Sequence, residues 1–238
     1  MPRKKIVFVI VEGQSDEEAL GVLLNRFYDN NAVYVHVMHC DITTELNTMP
    51  SNIVSKIGCL VKGYAGRIFK PGDFRQIIHI TDMDGAFIPN DAIVEDPAAA
   101  KPIYSMTKIR TQRKAGIEDR NRRKRENLNR LSSTAKVWNI PYQIYYMSCN
   151  LDHALYGKLN STDEEKENDS YAFAKRYKEN IPGFIKFISE SDFSVMDSYP
   201  QSWQYIREGL HSLERHSNFG LCFQAEGDDA GDNSCTEE

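Results

Sequence analysis

The chain has 238 residues, of which 41% are hydrophobic, 11% aromatic and 26% charged, enough apolar material for a sizeable buried core, which excludes a disordered or fibrous protein. Its longest clearly apolar run, Ile6 to Val11, is too short for a signal-peptide core or a membrane span, and five scattered cysteines with no CxxC spacing argue against a disulfide framework or zinc module and for a reducing, cytoplasmic setting. The net charge of -5 conceals an asymmetry, because residues 101–136 hold twelve Lys or Arg against three acids, a surplus of nine positive charges on an otherwise acidic chain.

Residues 5–11 are almost continuously β-branched and apolar, which predicts a strand buried on both faces of a parallel sheet. Glu12-Gly13 breaks the run. Ser15 as N-cap, with Glu18 three residues on and Ala19, Leu20, Leu23, Leu24 and Phe27 at helical spacing, predicts a helix to about Tyr28, closed by Asn30-Asn31. Residues 32–39 alternate as a second strand, and Pro50-Ser51 opens a second helix to about Tyr64. The third strand, residues 76–81, runs directly into Asp82-Met83-Asp84-Gly85. Residues 86–108 contain Pro89, Pro97 and Pro102 and no sustained period, so a long excursion is expected there. Helical spacing returns over 117–138 and a fourth strand over 142–147. Beyond it, helices are expected at 150–159, 169–178 and about 202–216, with an exposed acidic loop at 161–169 and a disordered acidic tail over 225–238.

Strands alternating with helices in this order predict an α/β fold with a mostly parallel four-stranded sheet flanked by helices, Rossmann-like in its winding. In such a sheet the strand ends on one edge share a crevice, where chemistry is usually placed. Glu12 ends the first strand, Asp82 and Asp84 end the third, and Asp16 lies about one helical turn beyond Glu12. Asp82 and Asp84 project the same way if the extended backbone continues to Asp84. Crowded carboxylates repel one another unless a cation compensates, and oxygen-only ligands select a hard ion such as Mg²⁺ or Mn²⁺. The bland readings are a helix N-terminal acid for Glu12 and an Asp-rich turn for Asp82 and Asp84.

The segment Val11-Glu12-Gly13-Gln14-Ser15-Asp16 after one strand, with Asp82-Met83-Asp84 after a later one about 70 residues on, resembles the Toprim domain over roughly residues 4–150. The resemblance implies a catalytic domain over 1–150 with a basic insertion at about 86–136, followed by a helical extension at 151–224. It also implies Glu12, Asp82 and Asp84 as catalytic residues, Glu12 as the proton-transfer group, and Glu12, Asp16, Asp82 and Asp84 as candidate ligands of Mg²⁺, with Asp16 matching an extra acid of stand-alone nucleases. Ser148 to Leu155 is loosely similar to a segment of RloB-like and related anti-phage Toprim proteins. That likeness makes Asp152 a further candidate ligand and Asn150 and His153 candidate accessory residues; Lys158, one turn beyond Ala154, is a candidate for phosphate contact, and Asn150 also reads as an ordinary helix cap.

The basic block would set an arm beside the acids. Lys108, Arg110, Arg113, Lys114, Arg120, Arg122, Arg123, Lys124 and Arg125 are the candidates to grip a DNA or RNA backbone, through sequence-independent phosphate contacts. Tyr104 is a candidate for stacking on a base. The bland alternative for the block is a solvated helix face whose arginines pair with acids. The expected activity is therefore a metal-dependent endonuclease without a membrane partner, with an ATPase partner subunit and homo-oligomerisation left open. Two rivals remain. Residues 80–85 also resemble the first motif of haloacid-dehalogenase-type phosphatases, with Asp82 as nucleophile and Asp228 and Asp232 mimicking a later motif. A non-catalytic module that binds nucleic acid or an ATPase is the other.

Overall fold

From Ile6 onward every residue of β1 (Lys5–Val11) is buried, so the strand must lie inside its sheet, and it runs parallel to β2 (Val33–His39) on one side and β3 (Phe74–Asp82) on the other. The computed structural model describes residues 4–28 and 33–224; Asn30-Asn31 and the tail 225–238, with Asp228 and Asp232, lie outside them. The sheet continues from β3 to the parallel strand β8 (Ile140–Ser148), and the short strands β7 (Lys136–Val137) and β9 (His216–Ser217) pair antiparallel with β8. The four long strands thus follow the order β2-β1-β3-β8 and are all parallel, an α/β arrangement of the doubly wound type.

Alternation along β1 divides the core. Val7, Val9 and Val11 face one layer with Leu20, Leu23 and Leu24 of α1 (Gln14–Phe27), and Ile6, Phe8 and Ile10 face the other with Ile53, Ile57 and Val61 of α2 (Ile53–Ala65) and Leu128 and Leu131 of α3 (Lys114–Ser132). The chain after β8 completes both layers. Phe173 of α5 (Asp163–Tyr177), Phe184 of α6 (Ile181–Glu190) and Phe219 join the first, while Trp203 of α7 (Tyr199–Tyr205) joins the second. The aromatic residues Tyr142, Tyr145, Tyr146 and Trp203 are buried, as packing residues should be, and His79 is buried with Nδ1 2.8 Å from the Tyr142 hydroxyl.

Several local expectations are corrected. The excursion after β3 is not structureless: β4 (Ile93–Glu95), β5 (Ile103–Tyr104) and β6 (Ile109–Thr111) form a small separate sheet, built from strands too short to show a period. Helix α3 begins at Lys114 and ends at Ser132, before Ala135 and Trp138. Most of the acidic stretch expected as a loop, residues 163–169, forms the first two turns of α5, because Thr162 and Glu165 form a reciprocal capping box and acids favour a helix N-terminus. Helix α6 went unforeseen, and α4 (Leu151–Tyr156) and α7 are shorter than expected. Among the described residues no helix is long and apolar enough to cross a membrane.

Candidate active site

The parallel strands reverse their order of travel across the sheet between β1 and β3, and doubly wound sheets hold ligands at the carboxyl ends of the strands at this switch point. Glu12 and Asp82 occupy those two ends. The Glu12 carboxylate accepts hydrogen bonds from the Thr81 hydroxyl at 2.5 Å and the Asp82 amide at 3.1 Å, so it is anchored across the β1–β3 seam. Burial pushes its pKa up to about 7; Lys124 pulls the other way, and Asp41 and Asp84 add repulsion.

Asp16 stands at the start of α1, where its Oδ2 accepts the Gly13 amide at 2.9 Å. The N-cap is therefore Gly13, not Ser15, and the reaching carboxylate is Asp16, not Glu18. Burial and the charge of Asp152 raise Asp16 to about 6, against its bonds to Gly13 and Glu12 and the charge of Lys166. Asp82 Oδ1 accepts the Leu151 amide at 2.9 Å, tying β3 to the N-terminus of α4. Burial, then Glu12, Asp16 and Asp84, raise the Asp82 pKa well above the carboxylate range.

Period-two alternation does not deliver Asp84, because β3 ends at Asp82 and Asp84 turns with φ 50°. The turn is held by hydrogen bonds that the Met83 and Asp84 amides donate to the Cys149 carbonyl, at 2.9 and 2.7 Å, and by Gly85 at φ 69°, where a Cβ would lie 2.8 Å from Leu213 Cδ2. Asp84 then meets Lys124 Nζ at 2.6 Å, and the same ammonium lies 3.3 and 3.4 Å from the two Glu12 oxygens. Burial works against the charge of Asp84, but Lys124 and Arg120 outweigh it and hold its pKa low.

Lys124 and Arg120 are thus corrected from surface contacts to site residues. Lys124 is fully buried, since it lies on the inward stripe of α3 with Ile117, Asn121, Leu128 and Leu131. Arg120, four residues earlier, donates to the Asp84 carbonyl at 2.8 Å and to the Tyr104 hydroxyl, so Tyr104 is held by Arg120 and, through its backbone, by Asn160 rather than presented for stacking. A lysine inside an apolar 3–4 spacing was the signal that could have separated Lys124 from its basic neighbours.

Asp152 is buried on α4 and pairs with Lys166 of α5 at 3.5 Å, a lysine that sequence reasoning missed. Asn150 Oδ1 caps α4 through the His153 amide, and His153 Nδ1 accepts the Cys149 amide at 3.0 Å. Burial, then Arg215 and His216, lower the His153 pKa to about 4. Lys158 pairs with Asp169 at 2.6 Å, and its charge also reaches Asp152.

Of the remaining basic residues, Arg122 and Arg123 pair with Asp119 within α3, Lys114 with Glu118, and Arg110 with Asp96, the solvated-face pattern. Lys108 and Arg113 are exposed, Arg125 is half-buried, and none of the three has an ion-pair partner among the described residues.

The carboxylates Glu12, Asp16, Asp82, Asp84 and Asp152 thus meet the bases Arg120, Lys124 and Lys166, with Asp41 and Lys158 acting from the margins on Glu12 and Asp152. Among the described residues no three side chains stand in ligating positions around one point, and the space between Glu12 and Asp84 is filled by Lys124. The donors are all oxygens, the set that a hard divalent cation selects, though they are not gathered around one point. No protein-family model, curated protein or solved structure matches the chain.

Proposed function

We propose that the protein is a Mg²⁺-dependent phosphodiesterase of Toprim type, an endonuclease acting on DNA or RNA. The observation that carries this reading is the meeting of Glu12, Asp16, Asp82 and Asp84 at the switch point of the sheet. Asp82, Asp84 and Asp16 would hold the metal, Mg²⁺ or Mn²⁺, which when bound offsets charge on the phosphoryl oxygens and orients water. Glu12 is the proton-transfer group: held by Thr81 and the Asp82 amide, with a pKa near 7, it exchanges a proton readily at neutral pH. Of the candidate bases, Lys108, Arg113 and Arg125 have no ion-pair partner among the described residues and would meet a phosphate backbone. Service as a cytoplasmic anti-phage effector under an ATPase partner rests on the family resemblance alone.

The phosphatase reading is weaker, because it leaves Glu12 and Asp16, which stand beside Asp82 at the same sheet edge, without a role. The test is cleavage of plasmid DNA and of total tRNA with Mg²⁺, Mn²⁺ or EDTA by the wild type, Glu12→Gln and the Asp82→Asn/Asp84→Asn double variant. Metal-dependent cleavage lost in both variants supports the reading. Turnover of a phosphomonoester without cleavage of either nucleic acid refutes it.

A further inference from the structure

The turn that presents Asp84 lies beyond the end of β3, and two successive residues in it, Asp84 at φ 50° and Gly85 at φ 69°, hold a left-handed backbone. Such a backbone persists only where its surroundings over-determine it, so the polar groups of the turn need partners. Arg120 and Asn121 of α3 donate to the Asp84 and Gly85 carbonyls at 2.8 and 2.9 Å. The Gly85 and Phe87 amides turn instead to one residue far downstream, Ser212. Its carbonyl accepts the Gly85 amide at 2.9 Å, and its hydroxyl oxygen accepts the Phe87 amide at 3.2 Å. Ser212 is fully buried, and Leu213 beside it packs with Ile88, Ile109 and Cys149 against the side of Gly85 that a Cβ would occupy.

The same segment grips the second element that carries acid. The His211 carbonyl accepts the Ser148 hydroxyl at 2.9 Å, and Arg215 donates through Nε and Nη2 to the Ala154 carbonyl of α4 at 3.0 and 2.9 Å. Helix α4 bears Asp152, and the amide of its first residue, Leu151, already reaches Asp82. We propose that residues 211–215 are a brace that fixes the Asp84 turn relative to Asp82 and α4, with Ser212 a positioning residue for cleavage. This rests on the nuclease reading above. Ser212 acts through the Gly85 and Phe87 amides rather than on a carboxylate, and a shift on the order of 1 Å in a reacting group can cost about 10²-fold in rate. The site of the 1–150 unit is therefore completed by a segment that lies outside it.

The experiment compares two buried serines in the full chain. Ser212→Ala removes the acceptor of the Phe87 amide and keeps the backbone carbonyl. Ser202→Ala is the control, because its hydroxyl is equally buried but donates to the Tyr199 carbonyl at 2.9 Å and accepts from Asn218 at 3.0 Å, away from the turn. Amide hydrogen exchange by nuclear magnetic resonance and the kinetics of nucleic-acid cleavage are the two readouts. Ser212→Ala is expected to speed exchange at Phe87 and Gly85 by about tenfold or more, leaving β1 unchanged. It should lower kcat by about ten- to hundredfold and change KM by less than about threefold, whereas Ser202→Ala moves neither exchange at the turn nor kcat. Unchanged exchange in Ser212→Ala, or faster exchange with wild-type kcat, overturns the brace and leaves the nuclease reading standing. A wild type that cleaves neither plasmid DNA nor tRNA with Mg²⁺ or Mn²⁺ overturns that reading and the positioning role together. If Ser212→Ala does not fold, Arg215→Gln decides by the same split: a lowered kcat at constant KM supports the brace, and an unchanged kcat overturns it.

Discussion

Lys124 Nζ meets Asp84 Oδ2 at 2.6 Å from inside the hydrophobic layer, on a side chain with no exposure to water. A buried pair of this kind is tolerated because each charge answers the other, and removing one partner strands the rest. Lys124→Ala should therefore lose about 3–5 kcal/mol of stability at neutral pH, read by urea denaturation. A loss under about 1 kcal/mol would mean that the ammonium is not held as described.

The state of Glu12 should appear in the pH dependence of stability. Its folded pKa of about 7 lies above the ordinary 4.5, so between those values the native state binds more protons than the unfolded chain. Stability from this group is thus fully present at low pH and lost as pH rises towards 7 and beyond. With EDTA present, the wild type should fall relative to Glu12→Gln between pH 4.5 and 8 by an amount on the order of 3 kcal/mol. Parallel curves for the two proteins would contradict the raised pKa.

Gly85→Ala should be costly for two separate reasons. The backbone sits at φ 69°, and the new methyl would lie 2.8 Å from Leu213 Cδ2. A loss of roughly 2–4 kcal/mol is expected, together with reduced cleavage, since this turn presents Asp84. A variant that melts with the wild type would show that the turn relaxes freely.

If nucleic acid follows the basic arm, unpaired bases should carry it and paired ones should not. Replacing Lys108, Arg113 and Arg125 by Ala should flatten the dependence of log K on log salt by roughly 0.7–0.9 for each phosphate that is no longer neutralised. Arg122→Ala should leave that slope unchanged, because its guanidinium is engaged by Asp119 at 2.6 Å and Glu126 at 3.4 Å. Equal slopes for all variants would place the polyanion elsewhere.

The segment after β8 should behave as core. Trp203 is buried on the second layer against Tyr146, their rings 5.3 Å apart. Trp203→Ala is expected to cost about 3–5 kcal/mol in a single cooperative transition. A separate early transition would instead mark the C-terminal helices as an independent unit.

What the sequence determined by itself is what local periodicity encodes. The run of residues 5–11 could only be a doubly buried strand, and Leu20, Leu23 and Leu24 only a helix face beside it, so Glu12 and Asp82 were readable as strand-end acids. Strands of two or three residues carry no period, which is why the small sheet β4–β6 was invisible, and a capping box hidden in an acidic stretch concealed the start of α5. Composition could count the twelve bases of residues 101–136 but could not sort them. Only the packing of α3 against the sheet turned Lys124 and Arg120 inward to the carboxylates, and only α5 brought Lys166 to Asp152. Those contacts join residues far apart in the chain, and the charge balance of a buried site depends on which side chains share its low-dielectric space, a property that exists only once the layers have closed.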